Sequence, residues 1–158
     1  MDRILIALTA AALAGSAVAA ADMPPPTDAA ALYPYLKEGS YRAWASESAP
    51  HASAGPHPVT VRTWLNPALR ESLAAGRREH PEGATAVKEL YGADGRLSGW
   101  AVSVKAEAQS RIGQGWYWYE VTSPEPGARP VAAGRGVALC AGCHLTGHDF
   151  VLTPFPLR

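Results

Sequence analysis

The hydrophobic and polar positions along the chain predict a sheet of short strands. The segment VTVRTWL (59–65) alternates apolar and polar side chains, which is the pattern of a half-buried strand. Three further segments have strand character: ATAVKELYG (84–92), LSGWAVSVKAE (97–107) and GWYWYEVT (115–122). Ala-Asp-Gly (93–95) predicts a turn between the first two of these. Because the last three strands follow one another without an intervening helix, their order predicts an antiparallel meander.

Three segments outside the strands predict helices. Residues 27–36 are rich in alanine, with Thr27 as the expected N-cap, although Pro34 weakens this helix. The Asn-Pro pair at 66–67 is typical of a helix start. The segment VAAGRGVALCAGCH (131–144) predicts a helix that carries both cysteines near its end. The predicted fold class is therefore α+β: an antiparallel β-sheet core with peripheral helices, the C-terminal helix carrying a Cys-x-x-Cys-His sequence.

The first residues of the chain predict export. An apolar run (4–13) is followed by Ala-Val-Ala (17–19), which is a typical cleavage site of a secretory signal peptide. The run is short and rich in alanine, so that a cleaved signal peptide (1–20) is favoured over a retained membrane helix. We therefore expect a periplasmic protein, with an N-terminal linker and helix (21–54) followed by one domain (55–158).

The charge of the chain argues against a nucleic-acid partner. The sequence holds 14 basic and 14 acidic residues, so its formal net charge is zero. No basic run is longer than the pair Arg77-Arg78. Domains that bind nucleic acid usually present a basic patch or stripe, and none is predicted here.

The only two cysteines are three positions apart, in the sequence CAGCH (140–144). A disulfide between them would close a very small loop and would stabilise the fold little. A redox dithiol usually lies at the N-terminus of a helix that follows an early strand, whereas this pair is near the C-terminus. A zinc site made by Cys140, Cys143, His144 and His148 would have ligands that are unusually close in sequence.

The fourth interpretation is covalent attachment of haem, for which Cys-x-x-Cys-His is the signature. Two residues between the thiols place both sulfurs along one edge of the porphyrin, and the following histidine then faces the iron. Attachment takes place outside the cytoplasm, which agrees with the predicted signal peptide. We therefore expect one haem c per chain, attached through Cys140 and Cys143, with His144 as the iron ligand.

Few residues are available for the other side of the iron. Met1 belongs to the predicted signal peptide, and Met23 lies beside three prolines. The remaining histidines are His51, His57, His80 and His148. His148 is too close in sequence to His144 to reach the opposite side, and we expect the others to be solvated. An open or weakly occupied distal site is therefore expected, which favours binding of small ligands over simple electron transfer.

Five stretches together resemble the cytochrome P-460 family, which includes the cytochromes c′-beta. They are VRTWLNP (61–67), HPEGATAVKELYG (80–92), GWAVSVK (99–105), GWYWYE (115–120) and CAGCHLTGHDFVLTPFPLR (140–158). The Cys-x-x-Cys-His sequence is shared by many cytochromes, but its combination with VKE and the DFVLTPFPLR tail is much more specific. The resemblance covers most of the chain from Gly55 onward. It implies a β-rich monohaem fold, usually homodimeric, with His144 as the proximal ligand.

The resemblance also implies a role for Lys88. Family members with the P-460 chromophore oxidise hydroxylamine or bind nitric oxide, and a lysine of their VKE motif is bonded covalently to the porphyrin. Lys88 is its match, whereas the c′-beta members lack the bond and bind gases such as nitric oxide. From the residues alone, Lys88 shares a strand face with Ala84 and Ala86, which leaves room for a large flat group. The alternative is a lysine that extends from a half-buried strand to water.

Two further positions are assigned by the resemblance. Arg62 matches an arginine of the early strand that can face the distal pocket. The distal carboxylate of the hydroxylamine-oxidising type has its match at Ala101, and alanine cannot accept a proton. Glu107 and Glu120 are the alternative carboxylates, but the sequence does not place either of them at the iron. We also consider a hydrogen bond from His144 to Asp149.

These observations lead to one leading hypothesis and two alternatives. The leading one is an exported monohaem cytochrome that binds a small nitrogen species such as nitric oxide at an open distal site. The first alternative is an oxidoreductase that acts on hydroxylamine or nitric oxide, with a Lys88-linked haem and a partner cytochrome that accepts electrons. The second is a simple electron-transfer cytochrome, which would need a second axial ligand.

Overall fold

The structure is a computed structural model that describes residues 23–58 and 60–158. The predicted signal peptide (1–20) lies outside these residues. Within the two described ranges, no helix combines the length and the apolar character that a membrane crossing requires.

The described residues form three α-helices and one antiparallel sheet of seven strands, so the predicted α+β class is confirmed. The strands are β1 (Ala45–Ser46), β2 (His51–Ala52), β3 (Thr60–Leu65), β4 (Thr85–Tyr91), β5 (Leu97–Lys105), β6 (Trp116–Val121) and β7 (Ala132–Arg135). The helices are α1 (Ala29–Glu38), α2 (Pro67–Ala74) and α3 (Ala138–His144). Two short 3-10 helices occupy Ser40–Ala43 and Arg111–Gly113.

The sheet is the predicted meander with additional strands at both edges. Strands β3 to β7 are neighbours in chain order, and the short strands β1 and β2 both pair with β3. The predicted helix over 131–144 is wrong in its first half, because residues 132–135 pair with β6 as an edge strand. Gly134 and Gly136 disfavour helix there, and Gly136 has a left-handed φ of +58°. The helix begins only at Ala138.

The helix starts depend on side-chain caps. The cap of α1 is Asp28 rather than the predicted Thr27, and its carboxylate accepts a hydrogen bond of 3.0 Å from Ala31 N. The helix continues through Pro34, which lies inside it. The predicted cap of α2 is confirmed, since the Asn66 side chain accepts a bond of 3.0 Å from Leu69 N.

Each face of the sheet has its own hydrophobic cluster. The first lies between the sheet and α1, and its members include Leu32, Leu36, Tyr41, Trp64, Val87, Trp100 and Val121. The second lies on the other face, beneath α2, α3 and the C-terminal segment, and includes Leu65, Leu69, Ala84, Trp116, Trp118, Phe150 and Val151. Because side chains alternate along a strand, Trp118 of β6 packs in the second cluster whereas its neighbours Tyr117 and Tyr119 pack in the first. Helix α1 therefore belongs to the same folded unit as the sheet.

Candidate functional site

A cavity of about 680 Å³ lies on the sheet face that α1 does not cover. Its walls come from β3 to β6, from the loop after β2, from α3 and from the C-terminal segment. The volume falls within the range of about 300–1,000 Å³ that is typical of small-molecule and cofactor sites. The cavity is therefore large enough to hold an organic group, and the chemistry of its walls decides which one.

Helix α3 brings the two cysteines and the following histidine to this cavity. Residues three and four apart share one face of a helix, so Cys140 lies on the same side as Cys143 and His144. All three line the cavity, and both cysteines are free thiols. Burial raises the pKa of Cys140 to about 11, and the charge of Glu120 adds to this shift. The thiol is therefore not activated in the way that a redox dithiol requires.

His144 has the hydrogen bond that typically orients a metal-binding imidazole. Its Nδ1 lies 2.8 Å from the carbonyl oxygen of Phe150. A carbonyl can only accept, so Nδ1 carries the proton and Nε2 keeps a lone pair. Burial lowers the pKa of His144, which favours the neutral ring, and the nearby Lys88 acts in the same direction. Metal-binding histidines are commonly held in this way by a carbonyl or carboxylate.

The Phe150 carbonyl is itself held in place by a buried ion pair. Asp149 and Phe150 adopt left-handed φ angles of +46° and +67°, which cost energy for residues other than glycine. Asp149 accepts bonds of 2.7 Å from Lys105 Nζ and from His80 N, and a further bond from the Ser110 hydroxyl. Burial opposes ionisation of Asp149, but these hydrogen bonds lower its pKa. The bond considered between Asp149 and His144 is not formed, because the backbone of the next residue takes that place.

A row of four side chains crosses the sheet along the cavity wall. In the strand register, Thr63 is opposite Lys88, Lys88 is opposite Ala101, and Ala101 is opposite Glu120. All four residues line the cavity. Burial lowers the pKa of Lys88, although the charges of Glu47 and Glu120 act against this shift. Lys88 thus faces the same space as the cysteines, and Glu120 supplies a carboxylate directly beside Ala101.

His57 also reaches into this space. It lies on the loop between β2 and β3, and only 15% of its side chain is exposed, so the expected solvated position is wrong. Its Nδ1 is 3.3 Å from Glu120 Oε2, and its ring centroid is 6.2 Å from that of His144. The sequence did not single out His57, because loop residues between glycine and proline are usually solvated.

Arg62 does not line the cavity, contrary to the expectation that it faces a distal pocket. Its side chain donates bonds of 2.8 Å to Glu47 O and 3.1 Å to Ser46 Oγ. Its guanidinium lies 4.8 Å from the centre of the Trp64 ring, which belongs to the opposite hydrophobic cluster. Arg62 pairs with Glu89 in the register, and the strand alternation places both on that other face.

Two other carboxylates have structural partners. Glu89 is buried, with 2% of its surface exposed, and it accepts hydrogen bonds from Tyr41, Arg42 and Tyr91. Glu107 forms an exposed ion pair with Arg135 and lies away from the cavity.

The zinc interpretation has no geometric support within residues 23–58 and 60–158. His148 donates a hydrogen bond to the carbonyl of Arg77, and its ring packs beside His80 at 5.5 Å. No group of three or more His, Cys, Asp or Glu side chains in these ranges is arranged to hold a metal ion. His80 is 1% exposed and forms hydrogen bonds with Ser72 and with the His148 carbonyl. The expectation that His80 is solvated is therefore wrong as well.

The donor set of the cavity fits a covalently attached porphyrin. Cys140 and Cys143 can form two bonds along one edge, and His144 offers a free Nε2 on the same wall. Trp118 packs against His144 at a ring distance of 4.8 Å, and its buried indole N–H has no partner among the described residues. Comparison with known proteins adds no identification, since no protein-family model matches the chain and the search of curated proteins gave no match.

Proposed function

We propose that the protein is an exported monohaem c-type cytochrome that binds a small nitrogen species, such as nitric oxide, at an open or weakly occupied side of the iron. The observation that carries this proposal is the arrangement of α3, which presents two free thiols and an oriented imidazole to one large cavity. It is also supported by the sequence resemblance to the cytochrome P-460 family. In this proposal α3 is the haem-attachment helix, residues 1–20 are removed, and the mature protein is a periplasmic homodimer.

In this proposal the residues of α3 and the Phe150 carbonyl each have a defined role. The sulfurs of Cys140 and Cys143 would hold the haem, and His144 Nε2 would bind the iron. The Phe150 carbonyl keeps the proton of His144 on Nδ1, so that Nε2 remains a ligand. When bound, haem supplies an iron that binds diatomic ligands and changes its oxidation state.

The opposite wall favours a small neutral ligand. Ala86 and Ala101 contribute only methyl groups to the cavity. The polar residues Lys88 and Glu120 lie beside them, and His57 and Glu47 line the same cavity. The space next to the methyl groups suits a small uncharged gas, which needs no charged partner.

A second candidate function is oxidation of hydroxylamine or nitric oxide. It is favoured by Lys88, whose lowered pKa leaves more of the neutral amine that could bond to a porphyrin edge. Glu120 offers the carboxylate that Ala101 lacks, although it is in contact with His57. Electrons released by such a reaction would pass to a partner cytochrome.

The proposal is tested by expressing the full chain together with a cytochrome c maturation system. The mature protein is expected to show the mass of one added haem, no titratable thiols, and a ferrous spectrum that changes on addition of nitric oxide. The Cys140→Ser/Cys143→Ser double variant serves as the control and should lose the covalent haem. A colourless wild-type product that keeps both thiols titratable would refute the proposal.

The same preparation separates the three candidate functions. A ferrous Soret band shifted strongly to the red, together with hydroxylamine turnover, would support the oxidoreductase. A six-coordinate low-spin spectrum in both redox states that does not respond to nitric oxide would support simple electron transfer. Sedimentation of the holoprotein tests the homodimer.

A further inference from the structure

The rings of His57 and His144 are separated by the distance expected for two ligands of one metal ion. Their centroids are 6.2 Å apart, with an angle of 67° between the ring planes. A metal bound at about 2 Å from one nitrogen of each ring, on opposite sides, holds the two centroids roughly 6 Å apart. The sequence indicates no residue for the sixth position of the iron. In the structure, His57 lies at the distance from His144 that such a ligand requires.

Both imidazoles also have the same pattern of engaged and free nitrogens. His144 Nδ1 is bonded to the Phe150 carbonyl, and His57 Nδ1 lies 3.3 Å from the Glu120 carboxylate. The hydrogen bond at Nδ1 leaves Nε2 of His144 for another partner, and the ion-pair contact of His57 also lies at Nδ1 rather than at Nε2. An acceptor on the far nitrogen fixes the tautomer and strengthens the ligand bond, and metal-binding histidines nearly always have one.

The two histidines differ in how firmly the chain holds them. His144 ends a helix, and its acceptor belongs to a segment fixed by the buried Lys105–Asp149 pair. His57 lies on the loop 53–58, in which the described residues Ser53 and Gly55 form exposed hydrogen bonds of 3.3 Å with each other. Segments with exposed hydrogen bonds and few buried contacts open at low cost. A ligand on this loop can therefore leave the iron without unfolding the sheet.

We propose that His57 is a displaceable sixth ligand of the haem iron, held towards it by Glu120. This inference rests on the proposed function and adds a mode of regulation to it. In the haem-loaded protein, nitric oxide would replace His57 Nε2 at the iron, and this exchange of one neutral ligand for another would leave the oxidation state unchanged. The ligand-free protein is then six-coordinate, and the loop returns when the ligand dissociates.

Displacement has a measurable effect on affinity. A ligand that can bind only the His57-free fraction has an apparent dissociation constant raised by the reciprocal of that fraction. If His57 occupies the iron in about nine molecules of ten, its removal strengthens nitric oxide binding about tenfold. The higher affinity comes from a faster association rate, because nitric oxide can bind without prior dissociation of His57 from the iron.

The test compares three variants of the haem-loaded full chain. His57→Ala should change the ligand-free spectrum from low-spin six-coordinate to high-spin five-coordinate and should raise nitric oxide affinity about tenfold. Added imidazole should restore the low-spin spectrum of this variant. Glu120→Gln, which weakens the contact to Nδ1, should give a mixture of the two spin states. His51→Ala is the matched control, because its ring contacts Glu47 rather than Glu120, and it should leave the spectrum unchanged.

The outcomes distinguish this inference from the proposed function. A wild-type holoprotein that is already high-spin and five-coordinate overturns the role of His57 and leaves the cytochrome assignment intact. A low-spin spectrum that survives His57→Ala also overturns it, because another side chain would then be the ligand. Protein that never acquires haem overturns both.

Discussion

Removal of the Asp149 carboxylate is expected to destabilise the fold more than any ordinary surface substitution. Asp149 forms an ion pair of 2.7 Å with Lys105, and the two side chains are 3% and 0% exposed. It also accepts hydrogen bonds from His80 N and from the Ser110 hydroxyl. In Asp149→Ala, the Lys105 ammonium stays buried without a counter-charge, and the backbone N–H of His80 loses its acceptor.

The size of the expected loss in unfolding free energy follows from the burial of Lys105. Breaking a buried ion pair by removing one member typically costs about 3–5 kcal/mol, because the remaining charge is left in a medium of low polarity. The unpaired N–H adds about 1 kcal/mol or more. The expected loss is therefore about 4–6 kcal/mol, a large fraction of the roughly 5–15 kcal/mol by which a domain is stable.

The assay is urea unfolding of the purified chain, followed by tryptophan fluorescence. The matched control is Glu71→Ala, which breaks an exposed pair with Arg70 and should cost less than about 1 kcal/mol. The double variant Lys105→Met/Asp149→Leu removes both charges and should recover much of the stability, since apolar replacement of a buried pair is often neutral. A loss below about 1 kcal/mol in Asp149→Ala would refute the view that this pair is a buried unit.

Three further predictions follow from the same structure. The pKa of Asp149 is lowered in the fold, so its stabilising effect is complete above the ordinary carboxyl pKa of about 4 and is lost as the pH falls through the folded value. Asp149→Asn should therefore be less stable than wild type at pH 7, and urea titrations should show the difference shrinking as the pH falls below 4. If Lys88 bonds to the porphyrin, trypsin should release its peptide joined to the haem peptide (136–158), which contains Cys140 and Cys143, and mass spectrometry that finds the Lys88 peptide free would exclude the bond. In Gly99→Ala the new Cβ would lie 1.9 Å from Val121 O, so we expect a loss of about 3 kcal/mol or failure to fold, and an unchanged urea midpoint would contradict this.

The sheet and its order could be predicted because the signals are local. Strand β3 follows an apolar pattern of period two, β4, β5 and β6 are rich in strand-forming residues, and Asn66 caps the helix that its position indicates. The error over 131–144 has a tertiary cause, since residues 132–135 become a strand by pairing with β6. No local pattern reports the presence of a free strand edge elsewhere in the chain.

The site could be predicted only in part, for a similar reason. Cys140, Cys143 and His144 are adjacent in sequence, so one helix brings them together. The acceptor of His144 is a backbone carbonyl, which has no residue identity that a sequence could reveal. His57 and Glu120 are far apart in sequence, and the loop before β3 brings them into contact. No pattern in the sequence indicates this contact.

The burial of Glu89 explains why Lys88 faces the cavity. Successive residues of a strand point to opposite faces, so a shift of one position in β4 would exchange Lys88 with Glu89. Glu89 is fixed on its face by Tyr41 and Arg42, which lie on the chain segment after α1. A shift would remove these bonds and would leave a lysine among the tryptophans of the first cluster, at a cost of several kcal/mol. The two charged residues of the VKE sequence therefore have separate tasks: Glu89 sets the register of the strand, and the register holds Lys88 in the wall opposite the cysteines.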